Sequence, residues 1–283
     1  MKSPLFFAAA LLGLSACSGT QVLNTLSSND AVLAQNLIYD DATGQRLDIY
    51  TPEQARSAPV VVFFYGGRWS EGDKADYEFV GQSLAQQGFV AVLPNYREFP
   101  AVKFPAFVED GARAVAWVRA NIARYGGSPS KLFVAGHSSG AHIAAMLALN
   151  EQYLKTVGGS RLWLKGMVGL AGPYDFLPLT APDLREIFGP PEQFEQSQPI
   201  FYVDGQNPPL LLMHGRDDDT VWIKNTENLA RAVKQAGGAV ESVIYPEMSH
   251  TRMIASLGPI FKNQSDVLDN IAEFVNRVSR LSG

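Results

Sequence analysis

Short apolar runs alternate with helix-forming stretches over most of the chain, and this alternation constrains the fold more than any other feature. The runs are "APVVVFF", "FVAVLP", "KLFVAG", "LKGMVGLAG", "PPLLLMHG" and "AVESVIYP". Most lack the polar alternation of a strand with one wet face, so they read as strands covered on both sides. Between them lie "DYEFVGQSLAQQG", "FPAFVEDGARAVAWVRANIARYGG", "SSGAHIAAMLALN" and "KNTENLARAVKQAGG". The second carries apolar residues at helical spacing, at Phe107, Val108, Ala112, Val115 and Val118, and ends in glycines. Parallel strands need a crossover, and a helix supplies it, so the expected class is α/β with a doubly wound, mostly parallel sheet of about eight strands flanked by helices. Two earlier runs, "NLIYD" and "RLDIYTP", read as a hairpin across "DATGQ". A chain of 283 residues, 46% hydrophobic and 18% charged, suits one large domain, placed at 36–283. The net charge of −5, with no basic run, argues against nucleic-acid binding.

The first residues read as a targeting signal. Lys2 precedes an apolar run from Leu5 to Leu14, too short to cross a bilayer, and then Leu14-Ser15-Ala16-Cys17. That ending resembles a bacterial lipobox, which implies a signal over 1–16, lipidation of Cys17 and a membrane anchor. Cys17 is the only cysteine, so the domain gains nothing from disulfides. Ser18 after it, rather than Asp, points to the outer membrane of a Gram-negative envelope. An ordinary signal cleaved after an A-x-A-like site is the alternative. Residues 17–35, polar and rich in Ser and Asn, read as a tether.

Ser138 sits in "KLFVAGHSSGAHIAAMLAL", where a strand turns into a helix between Gly136 and Gly140. The bare G-x-S-x-G pattern arises by chance roughly 0.1 times in such a chain, so the strand–turn–helix context carries the reading. The helix start aims free N–H groups at a reacting atom, that of Ser139 first. A serine nucleophile needs a base, and the base needs an orienting acid. There are four histidines. His137 and His142 flank the turn too closely to swing back, and His214 precedes the acidic cluster. His250, in "YPEMSH", follows a strand and every acidic candidate, so it is the expected base. The acid is one of Asp217, Asp218 and Asp219 in "LLLMHGRDDDTVW".

Three stretches carry a family resemblance. "FFYGGRW" resembles the H-G-G-x-W loop of esterases and formamidases, with Tyr65 where the pattern has histidine. The likeness implies that the N–H groups of Gly67 and Arg68 donate to an oxyanion, with Gly66 permitting the turn. "LLLMHGRDDDTVW" resembles H-G-x-x-D-x-x-V, which favours Asp218 and matches Val221, while Asp217 and Asp219 stay open. "PNYREFPAVKFPAFVEDGARAVAWV" resembles the Y-R-L-x-P…F-P-A…D…A…W-V segment, with Glu98 where leucine is usual. That segment is structural in the family, and an ion pair between Arg97 and Asp110 would suit it. From about residue 37 onward the chain resembles the α/β-hydrolase superfamily, in its carboxylesterase and hormone-sensitive-lipase-like branch.

The resemblance implies a serine hydrolase that cleaves small carboxylic esters through an acyl-enzyme on an α/β-hydrolase fold. An arylformamidase-like amide hydrolase and a non-catalytic envelope lipoprotein on the same scaffold are the alternatives. A serine peptidase fits less well, because such relatives usually carry an additional domain. No spaced His/Cys set suggests a metal, and no cofactor is expected. The insertion before "PPLLLMHG", about 30 residues, is too short for a lipase-type lid, so a minimal cap and short acyl chains are expected.

Overall fold

A computed structural model describes residues 16–27, 30–261 and 264–281, with the backbone only for 16–18. Residues 1–15 of the expected signal at 1–16, and the side chain of Cys17, lie outside the described residues. In chain order the elements are α1 (Ala16–Leu26), β1 (Val32–Asp40), β2 (Gln45–Thr51), β3 (Ala58–Phe64), α2 (Glu78–Gln86) and β4 (Val90–Pro94). Then come α3 (Ala106–Asn121), β5 (Gly127–His137), α4 (Ser139–Leu149), α5 (Glu151–Thr156) and β6 (Leu164–Leu170). The chain closes with α6 (Pro182–Phe188), β7 (Leu210–Gly215), α7 (Lys224–Gln235), β8 (Val240–Tyr245), α8 (His250–Ala255) and α9 (Val267–Arg280).

The strands form one sheet in the order β1-β2-β4-β3-β5-β6-β7-β8. The β1–β2 hairpin and the β2–β4 pair are antiparallel, and every other pair is parallel. Side-chain alternation along β3 shows why the apolar runs lack polar residues. Val60, Val62 and Phe64 face one core with Phe107 and Val115 of α3 and Leu229 of α7. Val61 and Phe63 face a second core with Phe79 of α2 and Ile271 and Val275 of α9. Both faces are thus covered, as a doubly wound parallel sheet requires.

The stretch expected as a tether, 17–35, holds most of α1 and the first residues of β1. In α1, Leu23 is buried and packs with the second core. Asn24 donates from Nδ2 to the Ala75 carbonyl at 2.8 Å and accepts the Phe79 N–H at 2.9 Å. A leucine and a capping asparagine make a polar-looking segment dock. The sheet also starts at Val32, earlier than the expected boundary. The expected Arg97–Asp110 ion pair is present at 2.8 Å, and Arg113 also bonds the fully buried Asp110. The Arg97 N–H donates to the same carboxylate at 2.8 Å, which fastens the segment after β4 to α3.

Between β6 and β7, residues 171–209 form a small cap of α6 and three short 3-10 turns. It lies over the carboxyl ends of the strands, where doubly wound sheets place their sites. Among the described residues no helix is long and apolar enough to cross a membrane.

Candidate active site

Ser138 follows β5 at the start of α4 with φ 54° and ψ −123°. A non-glycine residue there is strained, and such strain is held only where surroundings fix it. Here the Ser138 N–H donates to the Leu170 carbonyl at 2.9 Å, and the chain beside it is packed to contact. A Cβ at Gly140 would lie 2.0 Å from the Phe64 carbonyl oxygen, so only glycine lets α4 pass β3 so closely.

His250 opens α8, just after the turn that follows β8, and its ring meets Ser138. Its Nδ1 lies 2.8 Å from Asp218 Oδ2, and its Nε2 lies 2.9 Å from Ser138 Oγ. A carboxylate only accepts, so Nδ1 carries the proton and the Nε2 lone pair faces the serine hydroxyl. Of the three adjacent aspartates, Asp218 is buried and reaches His250, while Asp217 and Asp219 are exposed. Asp218 Oδ1 accepts the N–H groups of Thr220 at 3.0 Å and Val221 at 2.8 Å. Burial alone would raise its pKa. Hydrogen bonds from His214, His250 and the Val221 N–H outweigh burial and hold the carboxyl well below the usual range.

The other three histidines also line this region, which the chain order of candidates does not disclose. His214 Nε2 lies 2.8 Å from the Val221 carbonyl and 3.1 Å from Asp218 Oδ2. His142 Nε2 lies 2.7 Å from the Ser197 carbonyl of the cap, and its Nδ1 accepts the Trp69 indole N–H at 3.2 Å. His137 Nε2 lies 3.2 Å from the His250 carbonyl, with the two rings 4.6 Å apart. A carbonyl cannot donate, so all three share the Nε2–H tautomer. Burial pushes His142 down to about 4 and His137 well below the usual histidine value, so both are neutral near pH 7. Each therefore holds geometry rather than charge. The H of H-G-x-x-D-x-x-V and the W of H-G-G-x-W were the sequence signals for His214 and Trp69.

The loop after β3 lies against Ser138: a Cβ at Gly66 would be 3.1 Å from Ser138 Cβ. Its carbonyls are pinned in turn. Tyr96 Oη donates to the Tyr65 carbonyl at 2.9 Å, and Tyr77 Oη donates to the Gly66 carbonyl at 3.2 Å. The Gly67 carbonyl accepts the N–H groups of Ser70 and Glu71, both at 3.0 Å. In a trans peptide the N–H points opposite the preceding carbonyl. The N–H groups of Gly66, Gly67 and Arg68 are therefore turned away from these donors. Among the described residues, no backbone hydrogen bond takes the N–H of Gly67, Arg68 or Ser139. The loop needs φ 146° at Gly67, where a Cβ would lie 1.7 Å from the Glu71 carbonyl oxygen. The Arg68 side chain reaches the cap, with Nε 2.5 Å and Nη2 3.0 Å from the Asp183 carboxylate.

These features place the chain among known proteins. The family model described as BD-FAE matches residues 47–233, which include the glycine loop, Ser138 and Asp218. The chain belongs to the BD-FAE family. It is 27% identical over 264 residues to the isoprenylcysteine alpha-carbonyl methylesterase ICME of Arabidopsis thaliana, covering 86% of this chain and 62% of that protein. It is 30% identical over 248 residues to the esterase LipQ of Mycobacterium tuberculosis, covering 81% of this chain and 58% of that protein. The chain thus spans about three fifths of the length of these curated relatives. A hyperthermophilic esterase from the archaeon Pyrobaculum calidifontis superposes with a TM-score of 0.79 at 23% identity, over 93% of this chain and 92% of that one. The fold of this BD-FAE member is that of the α/β-hydrolases.

Proposed function

We propose that this protein hydrolyses carboxylic esters through an acyl-enzyme on Ser138. The supporting observation is the continuous chain Ser138 Oγ to His250 Nε2 to His250 Nδ1 to Asp218, at 2.9 and 2.8 Å, on a strained turn beside N–H groups that take no backbone acceptor among the described residues. Names of relatives that are esterases agree with it. In this reading Ser138 Oγ attacks the ester carbonyl carbon as its proton passes to His250 Nε2. The developing oxyanion takes the N–H groups of Gly67, Arg68 and Ser139. The bond from carbon to the alcohol oxygen then breaks, and His250 returns the proton to the leaving alcohol. Water attacks the acyl group, gives its proton to His250, and the acid departs as Ser138 regains its hydrogen. Asp218 keeps the imidazole oriented throughout.

The acyl side is read as short. In the cap, Ile187 and Phe188 are buried, and Phe188 packs edge-on against Trp69 with ring centroids 4.8 Å apart. Phe176 stacks on Trp69 at 5.9 Å, so aromatic rings fill space beside the glycine loop that a long acyl tunnel would use. Each buried methylene contributes roughly 0.8 kcal/mol, so kcat/KM is expected to rise with chain length, peak at about two to six carbons and then fall. The test is a p-nitrophenyl ester series from acetate to palmitate, with N-formylkynurenine beside it. A maximum at laurate or beyond would overturn the short-chain reading. Faster turnover of the formamide than of every ester would favour the formamidase alternative.

A lipid anchor at Cys17 remains part of the proposal, supported by the Leu-Ser-Ala-Cys stretch. Mass spectrometry of the protein from a bacterial host should find an acylated Cys17, lost in Cys17→Ser. An unmodified cysteine in the membrane fraction would count against it.

A further inference from the structure

Tyr65 and Glu98 are the two positions at which the chain departs from the patterns it otherwise resembles, and they touch. Tyr65 Oη donates to Glu98 Oε1 at 3.2 Å. The Tyr65 ring is stacked between two other tyrosines. Tyr96 lies on one side with centroids 4.5 Å apart, and Tyr77 lies 5.6 Å away. These outer tyrosines are the residues whose hydroxyls hold the carbonyls of Tyr65 and Gly66. Glu98 sits in a segment fastened at both ends. Arg97 before it is tied to Asp110, and the Phe99 N–H after it donates to the Trp69 carbonyl at 2.8 Å.

We infer that Tyr65 and Glu98 form one positioning pair, which stands in for the histidine of the related loop and sets the direction of the Gly67 N–H. The chain of cause is short. The fixed carboxylate holds the Tyr65 hydroxyl and so the plane of its ring. That ring spaces Tyr77 from Tyr96. Their hydroxyls fix two carbonyls, and trans peptide geometry converts carbonyl direction into N–H direction. Neither residue touches substrate. The inference rests on the oxyanion role given to this loop under the proposed function.

The surroundings of Glu98 disfavour its charged form. Burial raises its pKa to about 7, the Tyr65 hydrogen bond pulls it down, and Asp73 and Glu71 push it up. Tyr96 is the other titratable group facing it. A folded pKa above the unfolded carboxylate value of about 4.3 contributes stability below that value. The contribution is lost as pH rises through 7, so at pH 8 the ionised side chain is unfavourable. Removing it should not lower Tm at pH 8.

The experiment is a double-mutant cycle on a short-chain p-nitrophenyl ester at pH 8, with Tm alongside. Glu98→Leu and Tyr65→Phe should each lower kcat about 10-fold with KM within about 2-fold, a misaimed donor costing less than a deleted one. The double variant should be no worse than the poorer single, because both remove one interaction. Glu98→Gln keeps an acceptor for the Tyr65 hydroxyl and should retain most of kcat. Glu98→Leu should match or exceed the parent Tm at pH 8. Full kcat in either single, multiplied losses in the double, no rescue by glutamine, or a kcat loss that follows a fall in Tm would each overturn the inference. Should Glu98→Leu not fold, Tyr65→Phe against Glu98→Gln carries the same comparison. Ser138→Ala run in parallel separates the two levels. If it stays active, the proposed site is wrong. If it is inactive while Glu98→Leu and Tyr65→Phe are unimpaired, only the pair is wrong.

Discussion

Ser138→Ala is expected to lower kcat for p-nitrophenyl acetate by a factor on the order of 10⁶, with little change in Tm. The large effect follows from what the hydroxyl does and nothing else can do. Among the described residues His250 has no second hydroxyl in hydrogen-bond contact, and its Nε2 faces Ser138 Oγ at 2.9 Å. The small stability effect follows from local structure. The strained φ of 54° is fixed by the Ser138 N–H bond to Leu170 and by close passage of α4 against β3, and alanine keeps both. The hydroxyl itself contributes one hydrogen bond, worth about 1 kcal/mol. The measurement is steady-state kinetics together with labelling by a fluorophosphonate probe, which should fail in the variant. Retention of a tenth of parental activity, or continued labelling, would move the nucleophile elsewhere.

The parts of this molecule that could be read from sequence are those where one local cause dominates. β3, β5, β6 and β7 are buried on both faces, so their composition announces them. The turn at Ser138 is announced by its glycines, because close passage of α4 leaves room for nothing larger. Chain order then singles out His250 as base candidate, and it does reach Ser138. The hidden parts depend on contacts between distant segments. His142 looks like a helix residue, yet it bridges Trp69, 73 residues earlier, to Ser197, 55 residues later. The stretch expected as a tether hides a docked helix because its polar Asn24 bonds to Ala75 and Phe79. Tyr65 and Glu98 each look like a defect in a motif, and only the fold brings them together.

Asp218→Asn is the second large effect expected, a loss of about 10⁴ in kcat, because all four of its hydrogen bonds require an acceptor. Oδ1 accepts two main-chain N–H groups, from Thr220 and Val221, which cannot move. Oδ2 faces His250 Nδ1 at 2.8 Å and His214 Nε2 at 3.1 Å. An asparagine has one carbonyl oxygen, and the immovable N–H pair claims it. Its amide nitrogen then points at the two histidines. His250 escapes the clash by moving its proton from Nδ1 to Nε2, which presents N–H to the serine hydroxyl and removes the base. His214 has no such escape, since its Nε2–H also serves the Val221 carbonyl at 2.8 Å. Leaving buried donors unpaired costs about 1–3 kcal/mol of stability, so Tm should fall as well. The pH dependence has a definite sign. The carboxyl of Asp218 lies below the usual range, so its stabilisation is present above the unfolded aspartate value of about 3.9 and fades only as pH drops below it. Between pH 5 and 9 the parent should show no loss traceable to Asp218, and the variant should stay impaired across that range. Asp217→Asn and Asp219→Asn, both at exposed positions, should change kcat by less than about 3-fold, as surface substitutions do. A greater loss at either neighbour than at 218 would reassign the acid.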